Sequence, residues 1–586
     1  MKDFLSIWHR ILGIRYNSVS TNKNKSSGSK RKPSSPYKSA IIIAIIGIIG
    51  VLSGTCIHIL NPYDLIYRWK LIFEKGGEIY ELWRDPPVEL YLRVFLWNIT
   101  NKDAYMNGTD DKLKMVEVGP YVYRELMLHD NVTFNDNGTL TAIPRHPLVW
   151  VPELSEGRRE DDLLILPNIA LLSIADVVSD RSYFTRIGLN VIIRQTESFP
   201  LVQMTAREFM FGYSSSLMSL GNNFLPNWIN FDKLGLIDRM YNFEGDYETV
   251  YTGQKLGLEN IGLIEKYRGE TKLPQWDSPC GDITGASDGT KFKGYTKPND
   301  THLFFRKSMC RAKKLIRVNE TVTNGLKAYV YHLDPEADDN GRVHEYNKCF
   351  CKDPENCKPK GLLDVRGCYY GFPIALSYPH FLDGNESLSN NVIGMKPDPK
   401  LHKSYFIIQP DSGLPLELAV RFQINMHLGN IKTIANCDRF DNMVLPLLWT
   451  ENRLYKLPEF LAVRFRLYLN VLPLIEKCMM MILLGGGVFF FLISLYRFVK
   501  ITKGRSKYQE PWIEDDLVLN IDRKLSSYIP EKSSSLTARE LEVYMDSMVP
   551  LTDDIHREHE HSQNEHEHSQ DEHEHHITHD QSALVY

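Results

Sequence analysis

The sequence predicts a two-pass membrane protein in which an α+β domain, residues 61–476, lies between two membrane-spanning helices. Two apolar runs, residues 39–60 and 478–496, contain no Asp, Glu, Lys or Arg. Each has about the 20 residues that a helix needs to cross a bilayer. Between the runs, residues 88–97 alternate as a strand does, and residues 163–178 have apolar side chains at helical spacing. Both strands and helices are therefore expected in the intervening domain.

The first apolar run is predicted to be a signal anchor, transmembrane helix 1, residues 39–60. A cleaved signal peptide is the alternative, but the run is longer than the apolar region of a signal peptide and follows a leader of 38 residues. Basic residues beside a membrane helix favour the cytoplasmic side and attract anionic lipids, so the leader, residues 1–38, is predicted to be cytoplasmic. Against one acid, Asp3, its basic residues are Lys2, Arg10, Arg15, Lys23, Lys25, Lys30, Arg31, Lys32 and Lys38.

The second run is predicted to form transmembrane helix 2, residues 477–498, followed by a cytoplasmic tail, residues 499–586. The same charge rule therefore places both termini in the cytoplasm and residues 61–476 outside the cell or in a lumen. The predicted location is the plasma membrane, with an endosomal or lysosomal membrane as the alternative. The basic residues that follow the second run are Arg497, Lys500, Lys503, Arg505 and Lys507.

Glycosylation sequons are concentrated in the predicted ectodomain. Seven of the eight Asn-x-Ser/Thr sequons lie within residues 61–476, and the eighth, at Asn24, lies in the leader. Because such sequons are glycosylated only in the secretory lumen, their concentration agrees with the orientation that the charges predict. The predicted acceptors are Asn98, Asn107, Asn131, Asn137, Asn299, Asn319 and Asn385.

Seven of the nine cysteines also lie between the apolar runs. In an extracellular or lumenal domain, clustered cysteines indicate disulfides, and the spacing alone leaves the pairing open. A zinc site is the alternative for the closely spaced group from Cys349 to Cys357, but it would require a reducing compartment. Cys437 lies apart from the other six, which are Cys280, Cys310, Cys349, Cys351, Cys357 and Cys368.

The ectodomain is predicted to be a β-rich body with a helical insertion at about residues 160–220. Residues 116–125 form a second predicted strand, which a Gly-Pro pair interrupts. The helical insertion contains the pattern at residues 163–178 and a second one at residues 182–193. Short strands and turns return after residue 240.

The motifs of common enzyme and nucleic-acid-binding classes do not explain this chain. It has no H-E-x-x-H zinc motif and no P-loop. The whole-chain charge is -5, and the strongly basic segment is the leader beside the first span. The prediction is a protein that is not an enzyme, needs no cofactor and binds no nucleic acid.

The tail ends in a low-complexity His/Glu repeat, residues 556–579, which is predicted to be disordered. The favoured interpretation is a solvated polar spacer with no metal site. The alternatives are Zn²⁺ or Cu²⁺ binding and a response to pH, since histidine titrates near neutrality. The histidines concerned are His556, His559, His561, His566, His568, His573, His575, His576 and His579.

Glycines in both apolar runs permit the close approach of membrane helices. Gly50 and Gly54 are four residues apart in the first run, and residues 485–487 are consecutive glycines in the second. Packing of the two helices of one chain is the favoured interpretation, and homo-oligomerisation is the alternative.

Ordered motifs extend from the first apolar run to the second. They are Pro86-Pro87-Val88 with residues 91–101 (YLRVFLWNITN), residues 117–125 (EVGPYVYRE), Pro279-Cys280, residues 287–290 (SDGT), residues 349–351 (CFC), residues 361–365 (GLLDV) with Cys368, residues 376–382 (LSYPHFL), residues 421–425 (RFQIN) and residues 446–449 (PLLW). In these motifs, which span about four-fifths of the chain, the sequence resembles the class B scavenger receptor family. That family includes the fatty acid translocase, the high-density-lipoprotein receptor, a lysosomal integral membrane protein and sensory neuron membrane proteins.

The resemblance implies a β-barrel-like ectodomain, a helical bundle that caps it at the membrane-distal end, and a hydrophobic tunnel from this bundle to the membrane. It implies a scavenger receptor that binds lipids or lipoproteins and transfers lipid to the membrane. Fatty acids, sterols and carotenoids are the ligand classes expected. The alternative is an endolysosomal receptor that binds a protein or debris at the helical bundle and sorts it.

The resemblance also implies residue roles. In the fatty acid translocase a lysine on the helical bundle gates ligand entry, and the corresponding place here is near Gln195. Arg194 and Arg186 are the predicted cations for an anionic ligand at that place. The implied disulfides are Cys280–Cys349, Cys310–Cys368 and Cys351–Cys357. They leave Cys437 without a partner, so a free buried thiol is expected there, with an intermolecular disulfide as the alternative.

Overall fold

The structure is a computed structural model, and it describes residues 37–215, 217, 233–255, 257–351 and 357–506. Residues 1–36 of the leader and the His-rich repeat lie outside the described residues. The described residues up to Phe498 belong to one compact unit. The described part of the second unit, residues 499–506, is helical.

Helices occur at both ends of the described chain and in its interior. The α-helices are α1 (Tyr37–Leu60), α2 (Pro62–Leu71), α3 (Glu78–Arg84), α4 (Lys102–Met106), α5 (Ile169–Ser179), α6 (Tyr183–Gln195), α7 (Ala206–Phe211), α8 (Leu236–Tyr241), α9 (Pro399–His402), α10 (Glu459–Arg466) and α11 (Leu472–Ser506). A π-helical turn, Leu467–Val471, joins α10 to α11.

The strands are short at the edges of the sheets and long in the centre. They are β1 (Leu90–Ile99), β2 (Leu113–Glu125), β3 (Leu128–Phe134), β4 (Thr139–Arg145), β5 (Leu148–Trp150), β6 (Leu163–Pro167), β7 (Leu201–Thr205), β8 (Tyr213–Ser214), β9 (Lys233–Leu234), β10 (Glu248–Tyr251), β11 (Ile264–Tyr267), β12 (Ala286–Ser287), β13 (His302–Arg306), β14 (Arg311–Thr323), β15 (Leu326–Leu333), β16 (Leu363–Asp364), β17 (Ile374–Ser377), β18 (Val392–Ile393), β19 (Tyr405–Ile408), β20 (Pro415–His427) and β21 (Val444–Leu454).

The main sheet has 13 strands, with the order β12-β13-β14-β15-β19-β20-β21-β1-β2-β18 and side branches at β20 and β2. Its two ends, β12 and β18, are two-residue strands that pair with only one neighbour each. Within the described residues the sheet therefore stays open, and the expectation of a barrel is corrected to an open mixed α and β architecture. Strands β11-β10-β4-β3 form a second sheet.

The centre of the main sheet brings together segments that are far apart in sequence. Strand β1 pairs with β2 on one side and with β21 on the other. Leu90 at the start of β1 is opposite Glu125 and Leu454, and Leu454 is opposite Leu418 of β20. These strand ends therefore meet at one edge of the sheet. Strand β1 itself begins two residues later than the predicted strand and ends two residues later.

The Gly-Pro pair bends the second predicted strand without ending it. Strand β2 is continuous from Leu113 to Glu125, with a register shift against β1 between Val94 and Leu96. A Cβ atom on Gly119 would lie 2.8 Å from the carbonyl oxygen of Val94. Only glycine fits this bulge, which lets the strand bend while its pairing continues.

The helical insertion differs from its prediction at its start. Residues 163–167 form strand β6, which pairs with β7, and helix α5 begins only after Asn168. Pro167 disfavours a helical conformation at the residue before it, and the Asn168 side chain then caps the helix by accepting a hydrogen bond from the Leu171 N–H. Helix α6 has a similar cap, because Ser182 accepts from the Thr185 N–H.

The two candidate membrane spans pack against each other within the chain. Gly47 and Gly50 of α1 face Gly487 of α11 so closely that a Cβ atom on Gly47 would lie 2.8 Å from the Gly487 carbonyl oxygen. In the same interface, the Ser494 hydroxyl donates to the Ala40 carbonyl at 2.7 Å. Small residues and a buried hydroxyl are the features that hold membrane helices together. The favoured interpretation of the glycines thus fits the structure, whereas their role in homo-oligomers stays a prediction.

Candidate functional site

An apolar cavity of about 110 Å³, cavity 1, lies where the main sheet meets the segments next to the two candidate spans. Helix α3 contributes Trp83, and helix α10, which leads into the second span, contributes Leu461 and Phe465. Apolar walls with a few polar groups are the usual features of a site for an apolar ligand. The polar residues in its lining are Asp288, Thr290, Lys291, Arg306 and Asn452.

Two smaller cavities continue from cavity 1 toward the helical insertion. Cavity 2, of about 30 Å³, shares Asp288, Arg306, Val420 and Asn452 with cavity 1. Cavity 3, of about 20 Å³, shares Met240 with cavity 2 and reaches α5 and the strands beside it. Within the described residues the three cavities share lining side chains and form a row from α5 to the segments beside the candidate spans.

A buried ionic cluster lies at the boundary between cavities 1 and 2, and the Glu125 carboxylate is its centre. Oε1 accepts from Arg306 at 2.9 Å and from Nδ1 of His146 at 2.7 Å. Oε2 accepts from the Tyr241 hydroxyl at 2.9 Å and from Asn452 Nδ2 at 2.6 Å. We call these five residues the Glu125 cluster.

The Glu125 cluster is charged at physiological pH. Burial opposes ionisation of Glu125, but Arg306 and His146 outweigh it and lower the pKa of the carboxyl to about 2. Burial also lowers the pKa of His146, although Glu125 partly offsets the effect. The ion pair at the centre of the cluster is Glu125 with Arg306.

The loop at residues 285–289 matches the G-x-S-x-G spacing of hydrolase nucleophiles, but its geometry differs from theirs. Ser287 is fully buried in β12, and its hydroxyl accepts from the Gly289 N–H at 3.0 Å. Gly289 has a φ of 102°, which only glycine adopts readily. Asp288 follows the serine and lies 3.9 Å from His129 Nε2. The motif is a tight turn that positions Asp288 and the next two residues in the wall of cavity 1.

A second polar cluster connects three of the sequence motifs. Nδ1 of His380 accepts from the Lys396 N–H at 2.9 Å, so Nε2 donates to Glu117 at the same distance. Trp449 also donates to Glu117, at 2.8 Å. The His380 ring stacks on His402 with centroids 4.1 Å apart. These contacts hold Glu117 and the motifs at residues 376–382 and 446–449 in place within the fold.

The predicted ligand-binding residues lie on α6, away from the cavities. Arg194 and Gln195 are exposed at the end of this helix, and Arg186 is half-buried. None of the three lines cavities 1 to 3. The same helix exposes a row of apolar side chains, which we call the α6 apolar face: Tyr183, Phe184, Ile187 and Val191.

Comparison with known proteins identifies the family. A family model described as the CD36 family matches residues 40–498. The chain belongs to the CD36 family. The resemblance seen in the sequence motifs is thereby confirmed, and a membrane receptor is the class that the family, the two candidate spans and three disulfides support.

Two kinds of curated relatives are similar to this chain. Scavenger receptor class B member 1 of Bos taurus is 29% identical over 417 residues, which is 70% of this chain and 80% of the relative. Its counterpart in Cricetulus griseus is 30% identical with the same coverage. Lysosome membrane protein 2 of Homo sapiens is 28% identical over 381 residues, which is 65% of this chain and 78% of the relative.

The disulfides between the two candidate spans join the pairs that the resemblance implies. They are Cys280–Cys349, Cys310–Cys368 and Cys351–Cys357, with Cα atoms 5.7, 6.0 and 5.5 Å apart. Cys437 is a free, fully buried thiol, and burial raises its pKa to about 12. A thiol in that environment is inert toward disulfide exchange.

Glycosylation is expected at six of the seven sequons. The side chain of Asn98 lies half-buried in β1, and its Oδ1 accepts from the Ile165 N–H at 2.9 Å. The asparagines of the other six are exposed. Peptide mass spectrometry after enzymatic deglycosylation in H₂¹⁸O should therefore find ¹⁸O-labelled aspartate at the six exposed positions and unmodified Asn98. A labelled residue 98 would contradict the expectation.

Several residues of the site were not predicted from the sequence. Glu125 and Asp288 fell within quoted motifs but had no assigned role, and Lys291, Arg306 and Asn452 had no signal of their own. The motif EVGPYVYRE contained a signal for Glu125, because an acidic residue at the end of a buried strand needs a buried polar partner. The sequence does not say that this partner is 181 residues away.

Proposed function

We propose that this chain is a scavenger receptor that takes lipid from a carrier particle and passes it to the membrane through the ectodomain. No chemical bond changes in this function, and the ectodomain provides an apolar route through water. Fatty acids, sterols and carotenoids remain the candidate ligand classes. The names of its relatives, scavenger receptor class B member 1 among them, support a receptor of this kind.

The row of cavities is the observation that carries the proposal. Cavity 3 borders α5 in the helical insertion, and cavity 1 borders the segments that lead into the two candidate spans. Small rearrangements of the shared side chains would join the cavities into a tunnel. A ligand that moves along this row stays in contact with apolar side chains, so it avoids the cost of exposure to water.

The α6 apolar face is the proposed docking surface for the carrier. Phe184 is 82% exposed and Val191 57% exposed, which is unusual for side chains of this size. Arg194 is exposed on the same helix and supplies positive charge toward anionic lipid headgroups. A helix with exposed aromatic and basic side chains suits the surface of a lipid particle.

Lipid transfer in a purified system tests the proposal. The full-length protein is reconstituted in acceptor vesicles and mixed with donor emulsion particles that contain radiolabelled fatty acid, sterol or carotenoid. Transfer several-fold faster than to protein-free vesicles is expected for at least one lipid class. Rates equal to those of protein-free vesicles for all three classes would refute the proposed function.

Substituting Phe184 by glutamate should weaken binding of the carrier particle about 30-fold, since burying a phenylalanine at an interface contributes about 2 kcal/mol. Cell-surface binding of fluorescent lipoprotein measures the effect, with surface biotinylation to correct for expression. Val322→Glu is the matched control, because Val322 is 71% exposed on β14. Equal losses in both variants would mean that the α6 apolar face has no special role.

The second candidate is an endolysosomal receptor that binds a protein or debris at α6 and sorts it. It is favoured by the same exposed face and by the likeness to lysosome membrane protein 2. Steady residence in lysosomes and acid-dependent release of a protein partner would support this candidate. Steady residence at the plasma membrane would support the lipid-transfer receptor. Both termini are predicted to be cytoplasmic in either case.

A further inference from the structure

Lys291 is a buried lysine in the wall of cavity 1. Only 4% of Lys291 is exposed to solvent. It follows the tight turn at Ser287–Gly289, which positions Asp288 in the same cavity wall. The aliphatic part of the side chain packs over Gly262, where an added Cβ would lie 3.3 Å from the Lys291 Cβ. The lysine is therefore enclosed by the protein.

No anion of the described residues neutralises Lys291. Its ammonium donates one hydrogen bond, at 3.1 Å, to the backbone carbonyl of Phe292, and no carboxylate in these residue ranges lies within 4 Å of it. Burial accordingly lowers its pKa to about 7.

The other two charged residues of the cavity lining already have partners. Arg306 pairs with Glu125 at 2.9 Å, and Asp288 accepts from the Thr290 hydroxyl at 2.5 Å and lies 3.9 Å from His129. Burial without a counter-ion makes ionisation of the Lys291 amine costly, and groups perturbed in this way cluster at functional sites.

We propose that Lys291 binds the carboxylate of a long-chain fatty acid whose hydrocarbon chain lies along the apolar walls of cavity 1. This inference rests on the proposed function and assigns its ligand class at the membrane end of the row of cavities. The bound carboxylate supplies the counter-ion that the protein lacks, and it also accepts hydrogen bonds from the ammonium. The fatty acid is thereby held next to the segments that lead into the spans.

A carboxylate fits this site better than the other headgroups. One lysine balances one negative charge, whereas a phosphate monoester carries about 1.5 to 2. Sterols and carotenoids have no anion and would leave the ammonium unpaired. Cavity 1 therefore favours a singly charged amphiphile over neutral lipids.

Binding of matched C18 lipids to the full-length protein tests the assignment. The protein is placed in neutral phosphatidylcholine nanodiscs, and binding of radiolabelled oleate, oleyl alcohol and oleyl phosphate is measured against empty nanodiscs. The variants are Lys291→Met, which keeps the chain length and removes the charge, and Lys297→Met, which does the same at an exposed lysine. Wild-type protein is expected to prefer oleate to oleyl alcohol by about 10-fold, the worth of a hydrogen bond to a charged group.

Lys291→Met should abolish this preference by weakening oleate alone, and Lys297→Met should preserve it. An unchanged preference in Lys291→Met, an equal loss for oleate and oleyl alcohol, or tighter binding of oleyl phosphate than of oleate would each overturn the assignment while leaving lipid transfer intact. Failure of the wild type to bind any of the three would also overturn the assignment, whereas the proposed function is refuted only by the transfer experiment with fatty acid, sterol and carotenoid.

A measurement on the wild type keeps the assignment testable if Lys291→Met fails to fold. Oleate labelled with ¹³C at the carboxyl carbon reports its own ionisation by chemical shift. Its apparent pKa should be at least one unit lower in nanodiscs with the protein than in empty nanodiscs, because a nearby cation favours the ionised form. Among the neighbouring charges of the cavity, Asp288 opposes this shift, and Arg306 is already engaged by Glu125. An unchanged pKa would contradict the role of Lys291.

Discussion

Substituting Glu125 by alanine is expected to destabilise the ectodomain by about 3–5 kcal/mol. The change leaves Arg306 without its partner in a buried setting, and it also removes the acceptor of Tyr241 and Asn452. Removing one partner of a buried ion pair is among the costliest single substitutions, because the remaining charge stays out of water. Thermal unfolding of the purified full-length protein, followed by tryptophan fluorescence, measures the loss.

A double variant separates charge from packing at this cluster. Glu125→Gln combined with Arg306→Met removes both charges and keeps side chains of similar size, so it should recover most of the stability that Glu125→Ala loses. A double variant as unstable as Glu125→Ala would show that the ion pair is not the source of the effect.

The contribution of Glu125 should be the same at pH 7.4 and pH 5.0. Its folded pKa of about 2 is lower than the unfolded value of about 4.3, so the stabilisation is complete above pH 4.3 and disappears as the pH falls toward 2. The difference in unfolding temperature between wild type and Glu125→Gln is therefore expected to shrink only below about pH 4. A smaller difference already at pH 5 would contradict the low pKa.

Substituting Val420 by tryptophan is expected to abolish lipid transfer while the protein still reaches the cell surface. Val420 is 5% exposed and lines both cavity 1 and cavity 2, so an indole there fills the boundary between them. Overpacking of this kind costs about 1–3 kcal/mol, which a large domain with three disulfides is expected to tolerate. Uptake of labelled lipid should fall at least 10-fold.

The controls for this experiment are surface biotinylation and Val322→Trp, which adds the same side chain at an exposed position on β14. Carrier binding at α6 should be unchanged in Val420→Trp, because the α6 apolar face is not part of either cavity. Normal uptake in Val420→Trp at normal surface level would mean that lipid does not follow the row of cavities.

The sequence predicted some of this architecture well and some of it poorly. Strand β1 and helix α6 were predicted within two residues of their bounds, because their apolar spacing is unambiguous. Residues 163–167 were predicted as helix but form strand β6, because short apolar runs suit both structures and only the partner strand β7 decides between them. Barrel closure depends on which strands pair at the edges, and local pattern does not specify that.

The residues of the candidate site were also predicted only in part. The predicted residues Arg186, Arg194 and Gln195 lie on an exposed helix, where they remain candidates for carrier binding and not for the cavities. Lys291 was not predicted at all, since one lysine in a polar stretch of sequence is normally a surface residue. Its importance follows from its burial and from the absence of a carboxylate near it among the described residues.

By itself the sequence determined that two segments are able to span a bilayer, that the region between them is rich in cysteines and sequons, and that its motifs belong to the CD36 family. These properties depend on composition and on residues close together in the chain, and bilayer thickness and charge act on them directly. Only the tertiary structure decided that Glu125 meets Arg306 and Asn452, which are 181 and 327 residues away. The physical reason is that β1 pairs with both β2 and β21, so that the sheet, and not the order of the chain, places these side chains around one row of cavities.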